Sequence, residues 1–242
     1  MIAELKRIYS EYIRNYIPIK RYILFSGVKT PYDIRYGEGF YYSIFPELQQ
    51  QDVPDYENGL VSGIHSHVKP GYKVVVVGGG LGITAALVAL KVGKQGSVVC
   101  YEGDEDSIPT IQLTLKRNGV LDRVRLERAI VGPSIGVYGD NNAASIVDPK
   151  DLPECDVLEL DCEGSEKVIL KEMTICPRVI IVETHGFLGS SSAEVEQILK
   201  LRGYEVKNLG PAEARLSDFC INNDIMVLEA VAKERVDSSA NG

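Results

Sequence analysis

Apolar residues along this chain fall into two alternating textures: short β-branched runs, and longer stretches whose apolar positions recur at helical spacing. Val74-Val75-Val76-Val77 is the clearest run, and four β-branched residues in a row read as a strand buried on both faces. Ile83 to Leu90 then continues at helix length. The same alternation predicts strands over 97–102, near 124–131, and over 156–161 and 178–184, with helices over 106–118, 165–175 and 192–202. A helix around 59–67 precedes the first strand. Two final strands, 204–207 and 225–231, have no helix-length periodic segment clearly between them. Strands alternating with helices predict a doubly wound, mostly parallel α/β sheet of seven strands. The last two, joined without a crossover helix, predict an antiparallel pair at one edge. Residues 132–153 are rich in Gly, Asn, Asp and Pro and read as a working loop or a short surface hairpin.

Residues 1–58 have a different texture and form a small N-terminal α+β extension to a main domain over 59–236. Ile2, Leu5, Ile8, Tyr9, Tyr12, Ile13 and Tyr16 fall at helical spacing, and Pro18 ends that helix. Short strands are expected at 22–25 and 40–45. Nine of the thirteen tyrosines lie here, which suits either a cap with hydroxyls at its rim or a cover over a substrate. Residues 237–242 read as a disordered tail.

Composition narrows the partners. A net charge of −8 argues against binding driven by phosphate neutralisation. The local basic group Lys116, Arg117, Arg123, Arg125 and Arg128 reads as a solvated helix end and loop. Five cysteines, with no C-x-x-C pair, are too few for a disulfide scaffold and suit a reducing cytoplasm. The first residues lack the apolar core of a signal peptide, and no apolar run approaches the roughly 18 residues that span a bilayer. A cytoplasmic protein is expected, with a small molecule rather than nucleic acid or membrane as partner; homo-oligomerisation stays open.

Three sequence features carry chemistry. Gly78-Gly79-Gly80-Leu81-Gly82 separates the first strand from its helix, so glycine backbone turns tightly in the crevice where open α/β sheets bind cofactors, offering free N–H groups. Alone this loop is weak, because several cofactor classes use such glycines. Glu102 closes the second strand about twenty residues on, where a carboxylate can accept both hydroxyls of a ribose. Asp104, Glu105 and Asp106 are better explained as loop and helix-start acids. The third feature is Asp161-Cys162-Glu163-Gly164-Ser165-Glu166 at the end of the fourth strand, with Glu183-Thr184-His185 at the end of the fifth. Period-two geometry puts Glu159 with Asp161, and Glu183 with His185, on common faces. Acids and one imidazole thus converge beside the glycine loop, as a general base or a divalent metal site requires. Taken singly, Glu163 and Glu166 are equally explained as complements to a helix start. His65 and His67, two apart on a helix, point to different sides of it and read as surface or core-edge residues.

On these residues the chain resembles the FkbM-type S-adenosylmethionine-dependent methyltransferases over roughly residues 70–232. The resemblance rests on the glycine loop, Tyr101-Glu102, Asn118, the D-x-E-G-x-E element and the later Glu183-x-His185. It implies a class I methyltransferase fold and methylation of hydroxyl groups on small metabolites or sugars. It further implies that Gly78, Gly80 and Gly82 wrap the methionine part of S-adenosylmethionine, that Glu102 holds the ribose, and that Ala129 and Ile130 lie by the adenine. Asp161 would flank the reacting methyl, with Glu163, Glu183 and His185 nearby. The catalytic expectation falls on Asp161, His185 and Glu183, with Asp161 or His185 as base. No dedicated metal site is expected, although a metal-assisted variant through Asp161, Glu163, Glu183 or His185 stays open. Two positions depart from the pattern: Val76 stands where many class I methyltransferases carry an acid, and Glu159 where this family often has lysine. An NAD-linked oxidoreductase and a non-catalytic cofactor-binding protein are the alternatives; Ile83, where a dinucleotide loop would have its third glycine, counts against the former.

Overall fold

The computed structural model describes residues 22–31, 52–133, 135 and 144–233. The expected helix before Pro18, the strand at 40–45, most of the tip of the 132–153 loop and the tail from Asp237 lie outside the described residues. The first described element is a hairpin, β1 (Tyr22–Phe25) and β2 (Val28–Pro31), paired antiparallel through a turn at Ser26 and Gly27 that has positive φ at both. After α1 (Asn58–His67) the alternation begins: β3 (Lys73–Val77), α2 (Ile83–Val92), β4 (Ser97–Glu102), α3 (Ser107–Arg117), β5 (Val124–Val131) and β6 (Ser145–Val147). β7 (Val157–Leu160), α4 (Glu166–Glu172), β8 (Val179–Glu183), α5 (Ser192–Leu201), β9 (Tyr204–Pro211), α6 (Ser217–Asn223) and β10 (Met226–Ala232) complete it.

The main sheet runs β6-β5-β4-β3-β7-β8-β10-β9. Only β10 opposes the others: it pairs antiparallel with both β8 and β9, from a place between them. All seven strands expected from the β-branched runs are present. The eighth, β6, lies within 132–153 and pairs parallel with β5, so the two do not form a hairpin. Three residues inside a polar loop are too few for a period to show. The seven-residue α6 between β9 and β10 also departs from expectation; it buries only Cys220, so it carries no apolar stripe.

Alternation along the strands builds two cores. Val74 and Val76 of β3 face the side packed by α1, α2, α3 and the hairpin, whose Phe25 and Val28 join Leu60, Ile64, Ile83 and Leu115 there. Val75 and Val77 face α4 and α5, with Leu158, Leu160, Ile180 and Val182. Each such aliphatic side chain contributes about 1.5–3 kcal/mol by leaving water. The hairpin is also tied down by polar bonds: the Asn118 side chain exchanges two hydrogen bonds with the backbone of Lys29 at 2.9 and 3.1 Å, and Arg117 donates to the Thr30 carbonyl. His65 and His67 turn to different partners, Lys91 and Glu229. Strand order reverses between β3 and β7, because β4 and β5 lie on one side of that pair and β8 on the other. Crevices at such a switch point, outside the carboxyl ends of the strands, are where open α/β sheets bind ligands.

Candidate active site

A cleft open to solvent occupies this switch point. Gly78, Gly79 and Gly80, Tyr101 to Asp104, Ala129 to Val131, and Asp161 to Glu163 line it, with Glu57 and Thr84. Glycine is required at 78: its φ is +99°, and a Cβ there would run into the carbonyl oxygen of Asp161. That close approach locks the glycine loop to the end of β7, and Asp161 N–H donates back to the Val77 carbonyl at 2.9 Å.

The loop amides are not free, which corrects one expectation. Gly79 and Gly80 donate to Glu102 Oε2 at 2.9 and 2.8 Å, and Asp104 N–H donates to Oε1 at 2.8 Å. Gly78 N–H is taken by the Tyr101 carbonyl and Gly82 N–H by that of Gly79. A carboxylate offers about four lone-pair sites, so Glu102 has room for one further donor rather than for both ribose hydroxyls. Gly82 does not line the cleft; it opens α2 with φ +77°.

The second half of the site is built on the turns after β7 and β8. Glu163 and Gly164 both have left-handed backbone, φ +54° and +99°, which folds the D-x-E-G-x-E segment back on itself. A Cβ at Gly164 would press on Leu188, so the two turns pack tightly together. His185 is buried between them, its backbone paired with Ser190. Its Nδ1 lies 2.9 Å from Glu166 Oε1. Its Nε2 faces three carboxylates at once: Glu163 Oε2 at 3.4 Å, Asp161 Oδ1 at 3.6 Å and Glu183 Oε1 at 3.8 Å. Glu166 itself is buried and accepts N–H bonds from Gly164 and Cys162.

These contacts set the protonation states. Burial alone would push the His185 imidazole down, but Glu166, Asp161 and Glu163 outweigh it and raise it to about 9. Burial lifts Asp161 to about 6 and Glu163 to about 7, with His185 holding both lower than burial alone would. Glu183 is raised well above the carboxylate range, by burial first and then by Asp161 and Glu57. Glu159 is 1% exposed. Neither of its carboxylate oxygens has a hydrogen-bond partner, and burial lifts it to about 8.

The profile of the Methyltransferase FkbM domain matches residues 75–206, which takes in the glycine loop, Glu102 and both acid-bearing turns. The chain belongs to the FkbM methyltransferase family. It is a methyltransferase of the S-adenosylmethionine-dependent class, which sets aside the oxidoreductase and the non-catalytic alternatives. No curated protein matches the sequence significantly. Solved structures of similar course include a SAM-dependent O-methyltransferase from Thermotoga maritima (17% identity, TM-score 0.49, 79% of this chain and 71% of that one). An O-methyltransferase from Bacillus cereus in complex with SAH gives 13% and 0.46 over 73% of this chain and 80% of that one. Fibrillarin from Aeropyrum pernix with natively bound S-adenosyl-L-methionine gives 11% and 0.46 over 73% and 76%. None of the three reaches 0.5, so membership rests on the sequence match. Of the expected FkbM site residues, Gly78, Gly80, Glu102, Ala129, Ile130 and Asp161 share one cleft, and Glu183 and His185 stand beside Asp161. Glu166 is the residue that sequence reasoning passed over. Its signal was the last acid of D-x-E-G-x-E, read as a helix-start complement when it orients His185.

Proposed function

We propose that this FkbM methyltransferase is a cytoplasmic enzyme that methylates a hydroxyl of a small metabolite or sugar, with Asp161 as general base. The carrying observation is the meeting of Asp161, which lines the glycine-loop cleft, with the Glu166-held imidazole of His185. The donor fits the residues present. Its sulfonium and ammonium are cations, and the cleft is lined by the carboxyl groups of Glu57, Glu102, Asp104, Asp161 and Glu163. Ala129, Ile130 and Val131 give an aliphatic wall for a flat base, and Glu102 Oε1 keeps one lone-pair site for a ribose hydroxyl. Five free cysteines suit a reducing compartment, and no helix among the described residues is long and apolar enough to cross a membrane.

Bound S-adenosylmethionine supplies an electrophilic methyl on sulfur; the protein's part is alignment and proton management. Asp161 lines the cleft, whereas His185 has Nδ1 committed to Glu166 and Nε2 turned toward carboxylates. Asp161 therefore receives the hydroxyl proton as the carbon–oxygen bond forms and the carbon–sulfur bond breaks. With its pKa near 6, it is mostly ionised at neutral pH. With no ion bound, His185 is protonated there, keeps it so and is not the base. Calorimetry with S-adenosylmethionine and its demethylated product tests the cofactor, and absence of binding defeats the reading. Labelled methyl transfer to a panel of hydroxylated metabolites tests the acceptor class; transfer only to nitrogen or carbon acceptors overturns it.

A further inference from the structure

We propose that Asp161, Glu183 and His185 form a binding site for a divalent cation, with Glu163 within reach as a further ligand and Glu166 as the positioning residue. One ligand atom from each of Asp161, Glu183 and His185 lies within 4.8 Å of the other two. Nε2 of His185 is 3.4–3.8 Å from three carboxylates, too long for a good hydrogen bond to any. An imidazole has at most one proton to offer there. Metal–ligand bonds of about 2.0–2.2 Å place neighbouring ligand atoms roughly 3–3.5 Å apart. His185 Nε2 already stands near that spacing from Asp161 and Glu183, at 3.6 and 3.8 Å, while the widest separation among the three ligand atoms, up to 4.8 Å, must close by roughly 1 Å.

Two further observations point the same way. Glu183 is 9% exposed, and its Oε2, like Oε2 of Glu163, is buried without a hydrogen-bond partner. An unpaired buried carboxylate is costly unless a cation completes it. The imidazole is also already aimed. Glu166 fixes Nδ1 at 2.9 Å and is itself held by the N–H groups of Gly164 and Cys162, the outer-shell carboxylate arrangement that orients metal-binding histidines. One imidazole among carboxylate oxygens is a donor set for Mn²⁺ or Mg²⁺ rather than for a thiolate-seeking ion. Because Asp161 and Glu163 also line the cleft, an ion here would meet the acceptor hydroxyl and polarise it, while the second oxygen of Asp161 stays available for the proton. The cation's role in catalysis rests on the methyltransferase reading; its binding does not.

The test uses the full chain after chelator treatment, titrated with Mn²⁺ and followed by calorimetry and by the electron paramagnetic resonance signal of free Mn²⁺, with no cofactor present. One ion per chain is expected. Glu183→Gln should weaken binding at least about tenfold, and Glu166→Gln by about 10–100-fold at unchanged circular dichroism. His67→Ala should leave it unchanged. Absence of binding by the wild-type protein, or wild-type affinity in Glu183→Gln, overturns the proposal. Binding of the demethylated cofactor, measured alongside without metal, separates the two claims. If it binds and Mn²⁺ does not, only the cation site falls; if Mn²⁺ binds and it does not, only the cofactor reading falls.

Discussion

Glu102 lines the cleft and Glu183 stands beside its Asp161, and each is 9% exposed, yet their surroundings are opposite. Glu102 accepts three backbone N–H bonds from the glycine loop and Asp104. Glu183 has a buried oxygen with no partner, and the charges acting on it are Asp161, Glu57 and Glu163, with one imidazole 3.8 Å away. Burial by itself therefore does not decide the energetics of an acid. The Glu102 side is finished by the chain's own backbone, so it is rigid before any ligand arrives. The β7–β8 side sets Asp161, Glu163, Glu166 and Glu183 around one histidine, an arrangement that a cation, whether from the cofactor or from an ion, would complete.

The largest expected effect lies on the incomplete side. Asp161→Asn should lower kcat about 10²–10⁴-fold, the usual contribution of a general base, while affinity for the demethylated cofactor changes only a few-fold. Initial rates together with calorimetry check this. An equal loss in both would make Asp161 a binding group and move it to the finished side of the comparison.

Next comes Glu159, buried one pleat below Asp161 and in register with Val76. Its folded-state value near 8 lies above the ordinary carboxylate value of 4.5. The unfolded chain thus loses this proton first as pH rises, and folding stability falls between about 4.5 and 8. Glu159→Gln removes that dependence. The two proteins should be similarly stable at pH 4, and the variant should gain on the wild type by on the order of 3–5 kcal/mol by pH 8. Urea unfolding across that range, on chelator-treated protein, reads the difference; parallel pH profiles would show that Glu159 is neutralised by a partner.

How much of this was legible beforehand follows from range. β3 and β8 announce themselves because central strands buried on both faces need continuous β-branched runs, as in Val74 to Val77 and Val179 to Val182. β6 and α6 do not, since three and seven residues are too short to show a period. Asp161 and Glu163 were visible in D-x-E-G-x-E, and His185 in the motif after β8. Glu166 was not recognised, because its partner lies nineteen residues away on another strand and only the sheet register brings them together. The three bonds to Glu102 were hidden for the same reason: a glycine loop looks like a row of free donors until the next strand's carboxylate is placed under it.

Gly78→Ala probes the contact that joins the two sides. The new Cβ would meet the Asp161 carbonyl oxygen, a backbone atom that cannot step aside, at a φ of +99°. A loss of about 3 kcal/mol or more of stability is expected, along with displacement of Asp161 and a matching loss of turnover. Gly80→Ala, at φ +49° but with open space around it, should cost clearly less. Equal melting temperatures for the two variants would mean that the loop and the end of β7 move independently.

The smallest effects test the comparison most directly, because they predict a difference of sign. Glu102→Gln keeps the shape but replaces a carboxylate oxygen by an NH₂ group. That group either faces the Gly79 and Gly80 donors or leaves the Asp104 amide unpaired, at a cost of about 1–3 kcal/mol. Glu183→Gln replaces an acid whose ionisation burial opposes and whose Oε2 bonds to nothing. In metal-free protein without cofactor it should be neutral or slightly stabilising, within about 0.5 kcal/mol of wild type or above it. Thermal unfolding of both variants side by side decides the matter. If Glu183→Gln also destabilises by 1 kcal/mol or more, its carboxylate is already satisfied in the free protein and the two sides of the cleft are alike. If it does not, the same variant's loss of Mn²⁺ affinity cannot be blamed on damaged folding, and the incomplete half of the site is incomplete for a ligand.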